Sequence, residues 1–251
     1  MAEIAPGWSA VGALTVYAFP AGQLGVFAIP YGTTRGRFQT IGPQEILDAS
    51  GALAAIDGTQ FDDCGAGCAY PDFLVYDAGQ GIEASSLRPS DGVTICVANG
   101  QAVALPGAQL AFGTTVAMQL WPTLVAGSNV VASNGGSNAN QEWRAAIAIM
   151  SPGQVAFIAG VGDMVGFATA IQALGATDAG YTDGGGSAAL VVPGNQAGGT
   201  SYRAVPTWLV ARPPAAVNAA GMAFGAVVAA IVAAGIAYEV LKGRRGPGAM
   251  P

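Results

Sequence analysis

Short apolar runs separated by glycine- and proline-rich turns recur through the first 212 residues, and this pattern predicts strands joined as hairpins. The runs 13–19 and 24–29 lie on either side of one turn, and the runs 144–149 and 154–159 lie on either side of another. Asn99-Gly100 is a strong two-residue hairpin signal between two further runs. Most of the chain is therefore expected to form antiparallel sheet.

Two segments carry helix signals instead. Residues 43–50 begin with proline and are followed by glycine, which is typical of a short helix. Across 164–174 the apolar residues recur at helical spacing, and a glycine again follows. Strands and helices together predict an α+β fold, a mixed and mostly antiparallel sheet domain with a few helices. We place this domain at residues 13–212, after an N-terminal arm at residues 1–12.

The composition changes beyond Pro214. Residues 215–238 contain no charged side chain, and three basic residues follow shortly afterwards. As a helix this run would extend ~36 Å, which is enough to cross a bilayer. We therefore predict a C-terminal transmembrane-type helix within a hydrophobic anchor at 213–241, followed by a basic tail at 242–251. A long helix buried in an oligomer is the alternative.

The anchor also predicts a location and a mode of self-association. The positive-inside tendency places the basic tail in the cytoplasm or inside a virion membrane, with the large domain outside in the cell envelope or on the virion. Gly221 and Gly225 form a GxxxG pattern that permits close helix contact and indicates a homo-oligomer. The N-terminus has neither the basic region nor the apolar core of an ordinary signal peptide.

Composition narrows the possible chemistry. The net charge of −6 argues against nucleic acid as a partner of the folded domain. The absence of histidine excludes Ser-His-Asp triads, Cys-His pairs and HExxH zinc sites. Cys64 and Cys68 bracket a flexible spacer that permits a small-loop disulfide, but two thiols without histidine do not make a zinc site. Any catalysis must use carboxylates, arginine, tyrosine, cysteine or a bound metal.

One glycine-rich stretch concentrates the candidate chemistry. Asp183 precedes three consecutive glycines, Gly184, Gly185 and Gly186, and these are followed by Ser187. Consecutive glycines reach backbone angles that are closed to other residues, and their amides can point together at an anion. Asp183 at the mouth of such a turn is a candidate reactive group. A glycine-rich hairpin with an exposed aspartate is the alternative.

Five segments, in a shared order, carry a family resemblance. They are Ala54-Ala-Ile-Asp-Gly-Thr-Gln-Phe61, Met118-Gln-Leu-Trp-Pro-Thr-Leu-Val125, Arg144-Ala-Ala-Ile-Ala148, Asp183-Gly-Gly-Gly-Ser-Ala188 and Arg203-Ala-Val-Pro-Thr207. They resemble the motifs AAINGxFF, QxxPxLV, RTAIG, DGGGSA and RxVP of the phosphodiester glycosidase family. The resemblance covers about residues 13–212, which is nearly the whole part of the chain that precedes the anchor.

The resemblance implies cleavage of the bond between a sugar's anomeric carbon and a phosphodiester oxygen. Asp183 would then act as nucleophile, base or stabiliser of the sugar cation. Arg144 and Arg203 would be forked donors to phosphate, and the glycine amides and Ser187 would add to substrate binding. Asp57 would be the second carboxylate, as acid or base.

The chain departs from the family motif at one critical position. Asp57 stands where the family has asparagine, and Gln60 replaces a phenylalanine. The first change adds a charge beside the expected site, so it places catalysis on the family's substrate in question. No metal or other cofactor is expected, although Asp57, Asp62 and Asp63 are an alternative calcium-ligating cluster.

These observations predict a membrane-anchored phosphodiester glycosidase-like protein that acts on or binds phosphate-linked glycans of a cell envelope. Wall teichoic acids, capsules and other phosphoglycans are candidate substrates. Two competing functions stay open. The first is a non-catalytic glycan-binding module on the same fold, and the second is a minor capsid or vertex protein of a membrane-containing phage.

Overall fold

The computed structural model describes residues 5–32, 36–65, 67–199 and 203–214. The first strands in chain order are β1 (Gly7–Val11), β2 (Leu14–Pro20), β3 (Leu24–Phe27), β4 (Ile29–Pro30), β5 (Phe38–Gln39), β6 (Ala54–Asp57), β7 (Phe61–Gly65), β8 (Cys68–Pro71), β9 (Val75–Asp77), β10 (Ile82–Ala84) and β11 (Val93–Ala98). The remaining strands are β12 (Gln101–Pro106), β13 (Thr114–Leu120), β14 (Thr123–Ala126), β15 (Asn129–Val130), β16 (Glu142–Ser151), β17 (Gln154–Gly162), β18 (Asp178–Gly184), β19 (Ala189–Val192), β20 (Asn195–Gly198) and β21 (Trp208–Ala211). The helices are α1 (Ile46–Ser50) and α2 (Met164–Ala173), with short 3₁₀ turns at Ala21–Gln23 and Gly136–Ala139.

The α+β class predicted from the sequence is wrong. The described chain is built mainly from antiparallel sheets and contains two α-helices, of five and ten residues. The sequence analysis classed the domain as α+β because of two short helix signals, although most of the domain lies in strands. The fold is therefore β-rich. Residues 7–11, assigned to the N-terminal arm, form the edge strand β1.

The predicted transmembrane-type helix cannot be placed in this fold. Its residues 215–238, together with Gly221, Gly225 and the basic tail, lie outside the described residues. Within the parts of the chain that are described, no helix has both the length and the apolarity needed to cross a bilayer.

The strands form four antiparallel sheets. The seven-stranded sheet has the order β1-β2-β17-β16-β18-β14-β15, and a five-stranded sheet has the order β20-β19-β6-β21-β3. The other two sheets have the orders β10-β9-β13-β11-β12 and β4-β5-β8-β7. Residues 185–188 carry the chain from β18 of the seven-stranded sheet to β19 of the five-stranded sheet, so a glycine-rich turn lies where these two sheets meet.

The central strands β16 and β17 are buried along nearly their whole length because both faces of the sheet are covered. On one face Ala146 and Ile158 pack with Phe167 of α2, whereas on the other Ile147 and Phe157 join the main core. Asp163 caps α2, since its carboxylate accepts the Gly166 N–H at 2.8 Å. This two-sided burial explains why residues 145–149 of β16 are all apolar instead of alternating with polar residues.

A buried ion pair ties the end of the last strand to the sheets. The Asp77 carboxylate is fully buried, accepts the Val26 N–H at 2.9 Å and pairs with the Arg212 guanidinium. The Arg212 N–H donates in turn to the Gln23 carbonyl at 2.8 Å. The ion pair and the hydrogen bonds together hold Arg212 against β3.

Candidate active site

Asp57 ends the buried strand β6 and lies directly beneath the glycine-rich turn. Its side chain has no exposed surface. Its Oδ2 accepts hydrogen bonds from the Thr182 hydroxyl and the Asp183 N–H, both at 2.9 Å, and its Oδ1 accepts the Ala189 N–H at 3.0 Å. One carboxyl group therefore joins β6 to the last residues of β18 and the first residue of β19.

The electrostatics of Asp57 follow from this enclosure. Burial raises the pKa of Asp57 well above its usual value, and the nearby Asp183 carboxyl raises it further, while the three hydrogen bonds act in the opposite direction. Sequence analysis assigned Asp57 as a second catalytic carboxylate. The structure places it close to Asp183 but behind the turn, where it supports the backbone.

Most of the turn's amides are already occupied. The Gly184 N–H donates to Asp183 Oδ1 at 2.9 Å, and the Gly185 N–H donates to the Trp143 carbonyl at 3.1 Å. Gly185 has a φ of +59°, an angle that a side chain would strain. The Gly186 N–H has no hydrogen-bond partner among the described residues. Of the three amides that were predicted to bind an anion, the structure leaves that of Gly186 available.

Asp183 itself is partly buried at the open side of the turn. Burial raises the pKa of the Asp183 carboxyl, while the Ser187 side chain, the Gly184 N–H and the positive charge of Arg203 lower it. A carboxyl group with a raised pKa and hydrogen-bond donors around it is a common feature of catalytic sites. Asp183, Ser187 and Arg203 thus lie together at the turn.

Arg203 is exposed and held from below. Its backbone N–H donates to the Gly186 carbonyl at 2.9 Å, which fixes the residue beside the turn. Its guanidinium carbon lies 4.5 Å from the centre of the Phe61 ring, a cation–π contact. Its side-chain N–H groups have no carboxylate or carbonyl acceptor in the described part of the chain. The guanidinium is therefore positioned and still free to bind an anion.

Arg144 has the opposite environment. Its side chain is 1% exposed, and its Nε donates to the Gly162 carbonyl at 2.7 Å. Its Nη2 donates to the carbonyls of Asn138 and Asn140, and its Nη1 contacts Glu142 and the Tyr181 hydroxyl. An arginine has five N–H donors, and hydrogen bonds to three carbonyls, the Tyr181 hydroxyl and the Met164 sulfur account for all of them. Arg144 lies beneath Gly184 but presents no free donor to a phosphate.

Two acidic residues beside this group were missed by the sequence analysis. Asp72 follows β8, and its pKa is raised by burial and by the charges of Asp62 and Asp183, against the lowering effect of Arg88. Glu142 begins β16 and pairs with Arg144 at 3.2 Å. The only local signal for Glu142 was its position two residues before Arg144, which puts both side chains on one face of a strand.

Several other aromatic and cysteine side chains of the domain have structural roles. Trp208 is buried and donates its indole N–H to the Ile41 carbonyl at 3.2 Å, and Tyr181 is buried in the core that contains α2. Cys64 and Cys68 form a disulfide across the β7–β8 hairpin. Within the described residues, no three acidic or cysteine side chains converge as a metal-binding group, and Asp57 is enclosed whereas Asp62 and Asp63 are exposed.

Comparison with known proteins defines the class. The chain is matched over residues 50–212 by the family described as phosphodiester glycosidase. Since that match covers more than half of the sequence, the chain belongs to the phosphodiester glycosidase family. The resemblance inferred from the five motifs is confirmed.

Two solved structures share the fold. One is a hypothetical protein from Synechocystis, with 15% identity and a TM-score of 0.54; the match covers 81% of this chain and 60% of that chain. The other is the catalytic domain of zebrafish N-acetylglucosamine-1-phosphodiester α-N-acetylglucosaminidase, auto-inhibited by its pro-peptide, with 13% identity and a TM-score of 0.59. It covers 84% of this chain and 87% of that chain. At such identities the likeness concerns the fold alone. No curated protein sequence matches the chain.

Proposed function

We propose that the domain hydrolyses sugar-1-phosphodiester bonds, with Asp183 as the acting carboxylate and Arg203 as the phosphate-binding residue. The observation that carries this proposal is the Arg203 guanidinium, which has no acceptor in the described part of the chain, beside an Asp183 carboxyl whose pKa is raised. Membership of the phosphodiester glycosidase family supports the same reaction class.

The reaction fits the groups available. The bond between the anomeric carbon and the phosphodiester oxygen breaks, water supplies a hydroxyl to that carbon, and the remaining proton goes to the phosphomonoester or to solvent. The departing phosphate is a stable anion, so the main requirements are stabilisation of positive charge on the sugar and of negative charge on the phosphate. Asp183 meets the first as nucleophile, base or cation stabiliser. Arg203 and the Gly186 N–H meet the second, while the Ser187 side chain hydrogen-bonds to Asp183.

The substrate class proposed is a phosphate-linked glycan of a cell envelope, with N-acetylglucosamine-1-phosphodiesters as the first to test because the zebrafish enzyme is named for them. Placement at an envelope or virion membrane, and association through Gly221 and Gly225, depend on the sequence beyond residue 214 and stay predictions. Calcium, which the carboxylates of the β7 region suggested, is included in the test as an added ion.

A non-catalytic glycan-binding module is the second candidate. It is favoured by the internal use of the Gly184 and Gly185 amides and of every Arg144 donor, because these leave few groups to stabilise a transition state. Binding without turnover would distinguish this module from the hydrolase. A structural role in a particle would instead appear as co-purification with that particle.

The test is release of N-acetylglucosamine from UDP-N-acetylglucosamine by the full chain, with and without added Ca²⁺. We expect Asp183→Asn to lower the rate by about 10²–10⁴-fold, the range for loss of a catalytic proton-transfer or carboxylate group. Asp48→Asn is the matched control, since Asp48 is exposed on α1 away from the turn. A folded wild type that is silent on several sugar phosphodiesters would overturn the enzymatic proposal and favour the binding module.

A further inference from the structure

Glu142 is an acidic residue that the proposed reaction does not yet use. It is the first residue of β16, and its Oε1 lies 3.2 Å from Nη1 of Arg144. The Arg144 side chain is 1% exposed, whereas that of Glu142 is 35% exposed. Because Arg144 is held by three backbone carbonyls, it anchors one oxygen of a carboxylate whose other side faces solvent.

The second oxygen of Glu142 points over the glycine-rich turn. A Cβ atom placed on Gly185 would lie 3.9 Å from Glu142 Oε2, and this is the nearest atom that it would meet. Oε2 accepts no hydrogen bond from the residues that the structure describes. Since Gly185 has no side chain, the space between the carboxylate and the turn stays open.

The two ends of the glycine-rich turn carry side chains of opposite charge. The backbone N–H of Arg203 donates to the Gly186 carbonyl, and its guanidinium has no carboxylate within ion-pair distance among the described residues. Glu142 overhangs Gly185 and carries a negative charge that repels phosphate. A bound sugar phosphate therefore has one favourable orientation, with the phosphate toward Arg203 and uncharged hydroxyl groups toward Glu142.

We propose that Glu142 is a sugar-binding residue, whose Oε2 accepts hydrogen bonds from ring hydroxyls of the substrate and selects hydroxylated ligands. This inference rests on the proposed function, because it assigns the sugar end of the same site. Arg144 is then a positioning residue that acts through Glu142. Hydrogen bonds to an ionised acceptor are stronger than neutral ones, and a fixed acceptor loses less freedom when the ligand binds.

The experiment measures ligand affinity rather than turnover. N-acetylglucosamine-1-phosphate and methyl phosphate are titrated by calorimetry into the full chain carrying Asp183→Asn, with and without Glu142→Leu. We expect Glu142→Leu to weaken binding of the sugar phosphate by about tenfold or more, as for the loss of hydrogen bonds to a charged group. Affinity for methyl phosphate should be unchanged or slightly higher, since a repulsive charge has been removed.

Two further measurements distinguish a loss of binding from a folding defect. Glu142→Gln keeps an acceptor oxygen and the side-chain volume, so it should give a smaller loss in the same direction. Monodeoxy sugar phosphates titrated into the protein with Glu142 intact should bind more weakly when the contacted hydroxyl is missing. Glu45→Gln, at an exposed glutamate beside α1, is the control and should bind both ligands normally.

The outcomes separate this inference from the proposed hydrolysis. Equal weakening of both ligands, or no change in either, would overturn the assignment of Glu142. Selective loss of sugar-phosphate affinity in a protein that hydrolyses no sugar phosphodiester would support the sugar-binding role and overturn hydrolysis. Turnover of UDP-N-acetylglucosamine with sugar-phosphate affinity unchanged in Glu142→Leu would support hydrolysis and overturn the sugar-binding role.

Discussion

Two layers of the glycine-rich turn differ in how far their polar groups are satisfied. The floor comprises Asp57, Arg144 and Tyr181. These side chains are buried, and their hydrogen bonds join neighbouring strands. The rim comprises Asp183 and Arg203, which are more exposed and retain unfilled bonding capacity. Both layers contain an aspartate and an arginine from motifs of the same family, so residue type does not distinguish them.

The difference teaches which charged residues near a turn are candidates for ligand binding. A buried guanidinium with an acceptor for every N–H has no donor left for substrate, and its removal leaves carbonyls unpaired. An exposed guanidinium that stacks on a ring is held in place without using its donors. We therefore expect substitutions in the floor to change stability first, and substitutions in the rim to change activity with little effect on stability.

The largest expected effect is in the floor. Arg144→Met should lower the free energy of unfolding by about 3–5 kcal/mol, because three backbone carbonyls lose their hydrogen-bond donor. Arg203→Met, measured beside it by urea unfolding, should stay within about 0.5 kcal/mol of wild type, as for an exposed side chain. Equal losses in the two variants would remove the distinction between floor and rim.

A second test probes how closely the floor supports the turn. A Cβ atom on Gly184 would overlap the Tyr181 hydroxyl, so Gly184→Ala should cost about 1–3 kcal/mol of stability through overpacking. Adding Tyr181→Phe should recover part of that loss, since the overlapping oxygen is then gone. The control is Gly153→Ala, because a Cβ there meets no atom within 4 Å. A Gly184→Ala protein as stable as the control would contradict this packing.

In the rim, Arg203→Met should lower kcat/KM for a sugar phosphodiester by about 10–100-fold, chiefly through KM, because hydrogen bonds to the phosphate are lost. Arg203→Lys should restore only part of this, since an ammonium group neither forks nor stacks as a guanidinium does. Initial rates over a range of substrate concentrations give both parameters. Full activity of Arg203→Met would exclude the phosphate role, whatever its stability.

The sequence could predict the parts of this molecule that depend on local pattern. The hairpins at residues 144–159, the helix α2 and the placement of Asp183 at a glycine-rich turn each rest on a few consecutive residues. Family motifs then indicated that Asp57 and Asp183, although 126 positions apart, belong to one site. The proximity of residues far apart in the chain was therefore predicted from the family resemblance, whereas the hydrophobic periodicity predicted the strands and helices.

The features that the sequence could not predict depend on which hydrogen-bond donors already have acceptors within the fold. Nothing local shows that Arg144 is saturated, because its acceptors include the Gly162 carbonyl on the neighbouring strand. Asp72 and Glu142 gain significance only when β8 and β16 are brought beside the turn. The fold class was also misjudged, because two short helices were given too much weight in a domain that is built mainly from strands.

The smallest expected effect is a pH dependence that separates the two aspartates. Burial raises the pKa of both Asp57 and Asp183 in the folded state, so the folded protein binds protons at a pH where the unfolded chain has released them. The resulting stability is fully present below the ordinary aspartate pKa of about 4 and is lost as pH rises through the raised values. Each group contributes a slope of at most about 1.4 kcal/mol per pH unit.

Asp57→Asn should make the fall of unfolding free energy, as pH rises above the ordinary aspartate pKa of about 4, shallower than in wild type, because one of the two titrating groups is gone. An asparagine at position 57 also places its NH₂ group opposite a backbone N–H that donated to the carboxylate. The free energy lost with that hydrogen bond does not vary with pH. Urea unfolding at a series of pH values therefore isolates the charge from the lost hydrogen bond. Asp48→Asn should parallel wild type throughout. If Asp57→Asn did so too, Asp57 would be ionised at no cost, and the floor would hold it by hydrogen bonds strong enough to offset burial.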